Sequence, residues 1–321
     1  MIQRNMRLAF FGTPEFSATT LEALCEKPET TPLVVVTQPD RPAGRGGKLK
    51  ESAVKVIAKK YNLPILQPEK IRNNVEFLAS FQAFGPFDIA VIVAFGQIIP
   101  AQIINIPDKG FINIHASLLP RWRGAAPMQR AILAQDEWTG VALMKLEAGL
   151  DTGPVYASYK IRITDNDTLE TIHDRLAFLG SESLIARLPE IIEGTLTPTP
   201  QPNEGITYAE KISNEEAEID WNKTAREVSA KIRAFSPFPG AFSYLSGKRI
   251  KIYKATVKDN YNNIAKSGEI ITCDKKNILE VQCSDGVLSL QEVQLEGKRR
   301  MHIAEYLCGN QVNTGMCFSS N

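Results

Sequence analysis

"DIAVIVAFGQIIPAQIINIPDKGFINIHA", residues 88–116, holds two short apolar runs, 89–95 and 111–114, separated by a helical stretch that starts after Pro100. Neither run alternates apolar with polar residues. Each is therefore expected to be buried on both faces, and strand, helix, strand in that order makes parallel neighbours in a covered sheet. The alternation extends outward in both directions. "RLAFFG" leads to a helix near 15–26 and "LVVVTQ" to one near 52–61, while "FINIHA" leads to one near 126–134. "GVALMKL" and "PVYASYKI" follow as strands, then a helical periodicity runs over about 169–192. The sum is a doubly wound α/β domain over residues 1–192. "EGTLTPTPQPNEG", residues 193–205, lacks periodicity and is expected to be a linker that ends at 207. From 208 to 321 there is one helix near 224–233 and then short strands with frequent turn signals, the pattern of a small antiparallel barrel.

Composition narrows the function classes. The 321 residues are 43% hydrophobic and 23% charged, with a formal net charge of +1, so any attraction to nucleic acid must be local. Five cysteines stand far apart, an odd number with no C-x-x-C pair, which argues against a disulfide framework and a structural zinc site. No apolar run approaches the length of a membrane span, and the first strand begins too early for a leader, so a cytosolic protein is expected.

Asn113 and His115 are two apart on one strand and so project to the same side, near its carboxyl end, where open α/β sheets bind ligands. An amide donor beside an imidazole suits a carbonyl reaction, one bonding a developing oxyanion and the other donating to it or moving a proton. Downstream, "EAGLDTGPV" (147–155) sets Asp151 between Gly149 and Gly153 in a loop between strands, a candidate to orient the imidazole. His115 has no metal-ligand spacing with another His or Cys, so no metal is expected. "QPDRPAGRGGKLK" (38–50) gathers Arg41, Arg45, Lys48 and Lys50 against Asp40, a glycine-rich cationic loop suited to phosphates. Lys248, Arg249, Lys251 and Lys254 form a second basic stretch, and Lys298, Arg299 and Arg300 a third. "FGTPEF" (11–16) has one glycine and is no dinucleotide fingerprint.

"NIHASLLPRWRGAAPMQ", followed by "GLDTG" and preceded by "GTPEF" and "TQPDRPAGRGGKL", resembles the methionyl-tRNA formyltransferase family over nearly the whole chain. The resemblance implies a Rossmann-like formyltransferase domain followed by an OB-like β-barrel. It implies transfer of a formyl group from 10-formyltetrahydrofolate to the methionine of initiator Met-tRNA, by a monomer; with no transit segment read before the first strand, the bacterial cytosol is the expected compartment. By the same matching Asn113, His115 and Asp151 are the catalytic trio. Asn113 and His115 would stabilise the oxyanion, while Asp151 positions His115 and helps pass the proton. Ser117, Leu118, Leu119 and Pro120 fall on the folate-binding segment. The 38–50 loop, Arg45 above all, would enter the acceptor end of the tRNA, with Lys298 and Arg299 on a barrel that clamps it. A sugar-nucleotide amine formyltransferase or a formate-releasing hydrolase would share the trio; the former would not need the basic loop. A non-catalytic RNA-binding protein would not need the trio.

Overall fold

The computed structural model describes residues 5–43, 47–258, 265–274 and 277–319. Its chain forms two compact units, one built from residues up to Gly124 with Thr139–Ile161 and His173–Ala209, the other from Ala125–Trp138, Arg162–Ile172 and Glu210 onward. Among the described residues no helix is long and apolar enough to cross a membrane.

Elements run in the order β1 (Leu8–Gly12), α1 (Glu15–Cys25), β2 (Val34–Val36), β3 (Arg41–Ala43), β4 (Lys48–Lys50), α2 (Ala53–Lys60), β5 (Ile65–Leu66), α3 (Val75–Gln82) and β6 (Ile89–Val93). Then come α4 (Ala101–Ile104), β7 (Phe111–His115), β8 (Arg123–Gly124), α5 (Pro127–Leu133), β9 (Trp138–Lys145), β10 (Val155–Arg162), α6 (Leu169–Glu193) and β11 (Tyr208–Ala209). The first unit's sheet has the order β10-β9-β7-β6-β1-β2-β5. β5, β2, β1, β6 and β7 are parallel, as the two-faced apolar runs require, and β9 turns antiparallel against β7. The chain winds from β1 toward β5 on one side and from β6 toward β9 on the other, so the switch in strand order lies between β1 and β6. Ligands in such sheets sit beyond the strand ends near that switch. An aromatic cluster fixes those ends: the Phe11 ring meets Phe81, Phe95 and Phe111 edge-on at centroid distances of 5.3, 5.5 and 5.0 Å. Edge-on pairs of this kind add to the burial of their large apolar area. Just past β1 the Thr13 hydroxyl donates to the Phe95 carbonyl at 2.9 Å, fastening the β1 and β6 ends together.

The glycine-rich loop departs from expectation in one respect. Arg41–Ala43 and Lys48–Lys50 pair antiparallel, so its flanks form a hairpin arm. Its base is fixed at Asp40, whose carboxyl is held below the usual range by hydrogen bonds from Lys55 and then Gln67.

The second unit adds α7 (Ala225–Ala234), β12 (Ala241–Leu245), β13 (Lys248–Lys258), β14 (Ile270–Asp274), β15 (Ile278–Gln282), β16 (Val287–Leu295), β17 (Met301–His302), α8 (Ile303–Gly309) and β18 (Phe318–Ser319). α7 begins with a full capping box, Thr224 with Glu227. Sheet order is β14-β15-β16-β13-β12-β18, with β17 on β16. β13 carries register shifts around Lys254, the irregularities that let a long strand bend around a barrel. The chain end closes the ring: Gly315 N–H donates to Ile270 C=O, Ile270 N–H to Met316 C=O and Phe318 N–H to Gly268 C=O, at 2.8–2.9 Å. This is the small antiparallel barrel expected from the strand spacing, and it is OB-like as the family resemblance implies. Inside, Trp221 packs on Phe318 at 5.3 Å and its Nε1–H donates to the Ser243 hydroxyl at 3.0 Å.

Closure depends on Gly268, which has φ +85° and whose Cβ, if present, would lie 2.5 Å from the Phe318 carbonyl oxygen. Gly268→Ala is expected to cost about 1–3 kcal/mol through that clash and the left-handed backbone. A urea titration followed by tryptophan fluorescence checks it, and a wild-type midpoint would contradict the closure.

Candidate active site

β7 delivers two polar side chains to the end of the sheet. His115 is 7% exposed, and its Nε2 lies 2.9 Å from the Trp122 carbonyl oxygen. A carbonyl only accepts, so this nitrogen carries the hydrogen and donates. Among the described residues no protein group hydrogen-bonds the Asn113 side chain, although its backbone is paired on both sides.

The segment after β7 is held in an uncommon shape. The Ser117 hydroxyl donates to the Arg121 carbonyl at 2.6 Å. Trp122 has φ +62°, a left-handed conformation that a bulky residue adopts only when its surroundings impose it. Among its contacts, Trp122 N–H donates to the Thr207 hydroxyl at 2.9 Å, and the Arg121 guanidinium stacks 4.3 Å over the indole. β8 then pairs parallel with β11.

Asp151 arrives from the turn after β9, itself at φ +50°. One carboxylate oxygen accepts the Gly124 N–H at 2.8 Å, and the same Oδ2 lies 3.6 Å from His115 Nδ1. That distance is ionic for a charged ring and long for a direct hydrogen bond. The contact that orients the imidazole is therefore Trp122's carbonyl, and Asp151 faces the other nitrogen. The structure thus brings together the neighbourhood of Asn113, His115 and Asp151 read from the sequence, and adds Trp122, Gly124 and Thr207. Trp122 and Gly124 lie inside the quoted motif, but their roles are backbone roles that no side-chain pattern marks. Thr207, 85 residues from Trp122 in sequence, gave no signal.

Of the folate-segment candidates, Ser117 is buried and its hydroxyl is used within the segment, whereas Leu118, Leu119 and Pro120 are half-buried. Arg41 is exposed and pairs with Glu69 at 3.2 Å; Lys50, also exposed, stands directly opposite it in the hairpin ladder. Lys48 lies in β4 with its side chain outside the described residues, and Arg45 lies outside them altogether. On the barrel Lys298 is exposed, and Arg299 pairs with Glu305 at 2.5 Å.

Residues 6–188 match the model of the family described as formyl transferase, and residues 211–311 match its C-terminal domain. The chain is 44% identical over 317 residues to a methionyl-tRNA formyltransferase of Dictyoglomus turgidum, covering 98% of this chain and 100% of that one. A second, from Methylococcus capsulatus, is 47% identical over 302 residues, covering 94% and 96%.

The chain belongs to the methionyl-tRNA formyltransferases.

Solved structures extend the likeness in fold. An N-formyltransferase from Helicobacter canadensis, in complex with folinic acid and dTDP-3-aminofucose, superposes with a TM-score of 0.65 at 19% identity, covering 92% of this chain and 100% of that one. HypX from Aquifex aeolicus, in complex with tetrahydrofolic acid, gives 0.63 at 17% identity, covering 97% and 50%. The donor used by the family is folate-derived.

The turn after β9 leaves no room at Gly153, where a Cβ would sit 1.8 Å from the Lys145 carbonyl oxygen. Gly153→Ala is expected to displace the 149–153 turn, cost about 1–3 kcal/mol and lower formyl transfer at least tenfold. Urea midpoints and initial rates check both effects; a wild-type rate would mean that Asp151's placement is not set by this turn.

Proposed function

We propose that the protein takes the formyl group of 10-formyltetrahydrofolate and attaches it to the α-amino nitrogen of methionine on initiator Met-tRNA, with Asn113, His115 and Asp151 as its catalytic residues. The observation that carries this reading is the Asn113 amide, without a protein partner among the described residues, beside an imidazole whose second nitrogen faces a fastened carboxylate. In the reaction the neutral amine attacks the formyl carbon, a C–N bond forms and the carbonyl oxygen becomes an oxyanion. Collapse breaks the bond to N10 of the folate. The proton lost by the attacking nitrogen must reach N10, so that tetrahydrofolate leaves neutral.

Asn113 supplies an oxyanion donor in this scheme. Its amide is held by a central strand, so it need not reorganise as charge develops. His115 already gives its Nε2 hydrogen to Trp122. What it offers is Nδ1, which takes the migrating proton directly or through one water, with Asp151 3.6 Å away to balance the new charge. The second oxyanion donor expected of His115 is therefore replaced here by a proton-carrying role. Leu118, Leu119 and Pro120 form the folate-contacting edge, and Ser117 shapes it from within.

Recognition of the tRNA rests on the two basic surfaces. Arg41 opposite Lys50 is a like-charge cross-strand pair, offset at Arg41 by an exposed ion pair with Glu69 and relieved further by an anion between the two cations. The Arg299 to Glu305 pair is exposed, of a kind worth little, so phosphate can displace the carboxylate. Arg45 and Lys48 extend the hairpin's charge toward the tRNA, and Lys298 adds to the barrel's. On this reading the protein works as a monomer in the cytosol.

Loss of one oxyanion donor typically lowers turnover about 10²–10³-fold, so Asn113→Ala is expected to lose kcat by that factor with folate affinity nearly unchanged. A fall of less than tenfold in steady-state kinetics would remove Asn113 from the role. For the hairpin, neutralising Arg41, Lys48 and Lys50 together should flatten the salt dependence of tRNA binding, the log–log slope dropping by about 1 for each phosphate the variant no longer neutralises. An unchanged slope would take the hairpin out of the tRNA surface.

A further inference from the structure

Residues 193–205, expected to be only a linker, send one side chain back into the first unit. Gln201 Nε2 donates to the carbonyls of Asp151 and Gly153, both at 2.8 Å. Its Oε1 accepts from Arg123 Nε at 3.1 Å and from Nη2 at 2.8 Å. Both amide hydrogens and both lone-pair directions are thus used. Only one orientation of the amide works. Arg123 can only donate and the two carbonyls can only accept, so a flipped amide would face like with like at all four hydrogen bonds.

Arg123 is buried, 6% exposed, and among the described residues no carboxylate lies within ion-pair distance of its guanidinium. A buried cation without a counter-ion is costly unless its hydrogens are bonded, and a core built for stability alone would favour an apolar side chain there. The strand position of Arg123 also matters. It precedes Gly124, whose N–H holds the Asp151 carboxylate. One two-residue strand therefore grips the Asp151 turn twice, through the Gly124 N–H on its side chain and through Arg123 and Gln201 on its backbone. The Gln201 segment is itself tied down on both sides, Thr199 exchanging backbone hydrogen bonds with Val155 at 2.8 and 2.9 Å and Thr207 C=O accepting from Arg123 N–H at 2.9 Å.

We propose that Gln201, its amide set by Arg123, is a positioning residue: it holds the left-handed backbone at Asp151 so that the carboxylate meets the proton carried by His115. This rests on the catalytic reading of Asp151 given above. Gln201 touches no reacting atom, so its effect must pass through that carboxylate.

The test uses the full chain with charged initiator Met-tRNA and 10-formyltetrahydrofolate. Gln201→Ala is expected to lower kcat by about 10- to 100-fold, the scale of a catalytic group misplaced by an ångström, with KM for either substrate changed less than about threefold. Gln201→Glu keeps size and the Arg123 contact but presents an acceptor to two carbonyls, so it is expected to fall as far as Gln201→Ala; full rescue by glutamate would overturn the proposal. The decisive comparison is Asp151→Ala with and without Gln201→Ala. Acting only through Asp151, the second change should leave kcat within about twofold of the single variant, whereas losses that multiply would show a separate structural effect and overturn the proposal. If Gln201→Ala keeps wild-type kcat the positioning role is wrong. If the wild-type protein does not formylate Met-tRNA, the functional reading has failed instead.

Discussion

The hydrogen bond from the Gly124 N–H to the Asp151 carboxylate, 2.8 Å long, ties together the two chain segments that carry the candidate site. One is the stretch after β7, which carries Asn113 and His115 and bends through Trp122. The other is the turn after β9. Neither segment is rigid by composition, and both contain residues in left-handed backbone regions, Trp122 at φ +62° and Asp151 at φ +50°. Such residues cost about 1–3 kcal/mol each and persist only where neighbours over-determine them. The aromatic cluster around Phe11 sets the strand ends, the Thr207 hydroxyl holds Trp122 N–H, and the strained backbone then delivers Trp122's carbonyl to His115 and Gly124's N–H to Asp151.

Charge is organised differently from chemistry in this protein. With a formal net charge of +1 over 321 residues, long-range steering of a polyanion cannot come from the whole. Local concentrations of basic groups remain, and the proposal rests on two of them, the Arg41 and Lys50 rung of the hairpin and the Lys298–Arg300 turn of the barrel. Arg300 shows the contrast, because it bonds Glu292 at 2.5 Å and stacks 4.7 Å over Tyr253, a structural placement within the same basic run.

What the sequence discloses and what it hides follow from the range of the interactions. Parallel strands are legible because burial on both faces leaves no polar alternation, and Asn113 with His115 is legible because a two-residue spacing on a strand fixes a common side. The Arg41–Ala43 and Lys48–Lys50 pairing is hidden by Pro and Gly, which read as loop, although Pro42 stands within the ladder opposite Leu49. β18 is hidden because two residues carry little pattern, and the barrel closes through backbone bonds to Gly268 and Ile270. Gln201 is hidden most thoroughly. It sits among Pro and Thr without periodicity, and its partners lie 48 to 78 residues away. The motif singles out the candidate side chains; the backbone groups that hold them emerge only with the fold.

Single-turnover transfer of a labelled formyl group from 10-formyltetrahydrofolate to charged initiator Met-tRNA, with charged elongator Met-tRNA alongside, probes the site and the basic surfaces together. Rapid formylation of the initiator species and little of the elongator is the result that the proposed function predicts. Release of free formate without transfer, or equal formylation of both tRNAs, would contradict it.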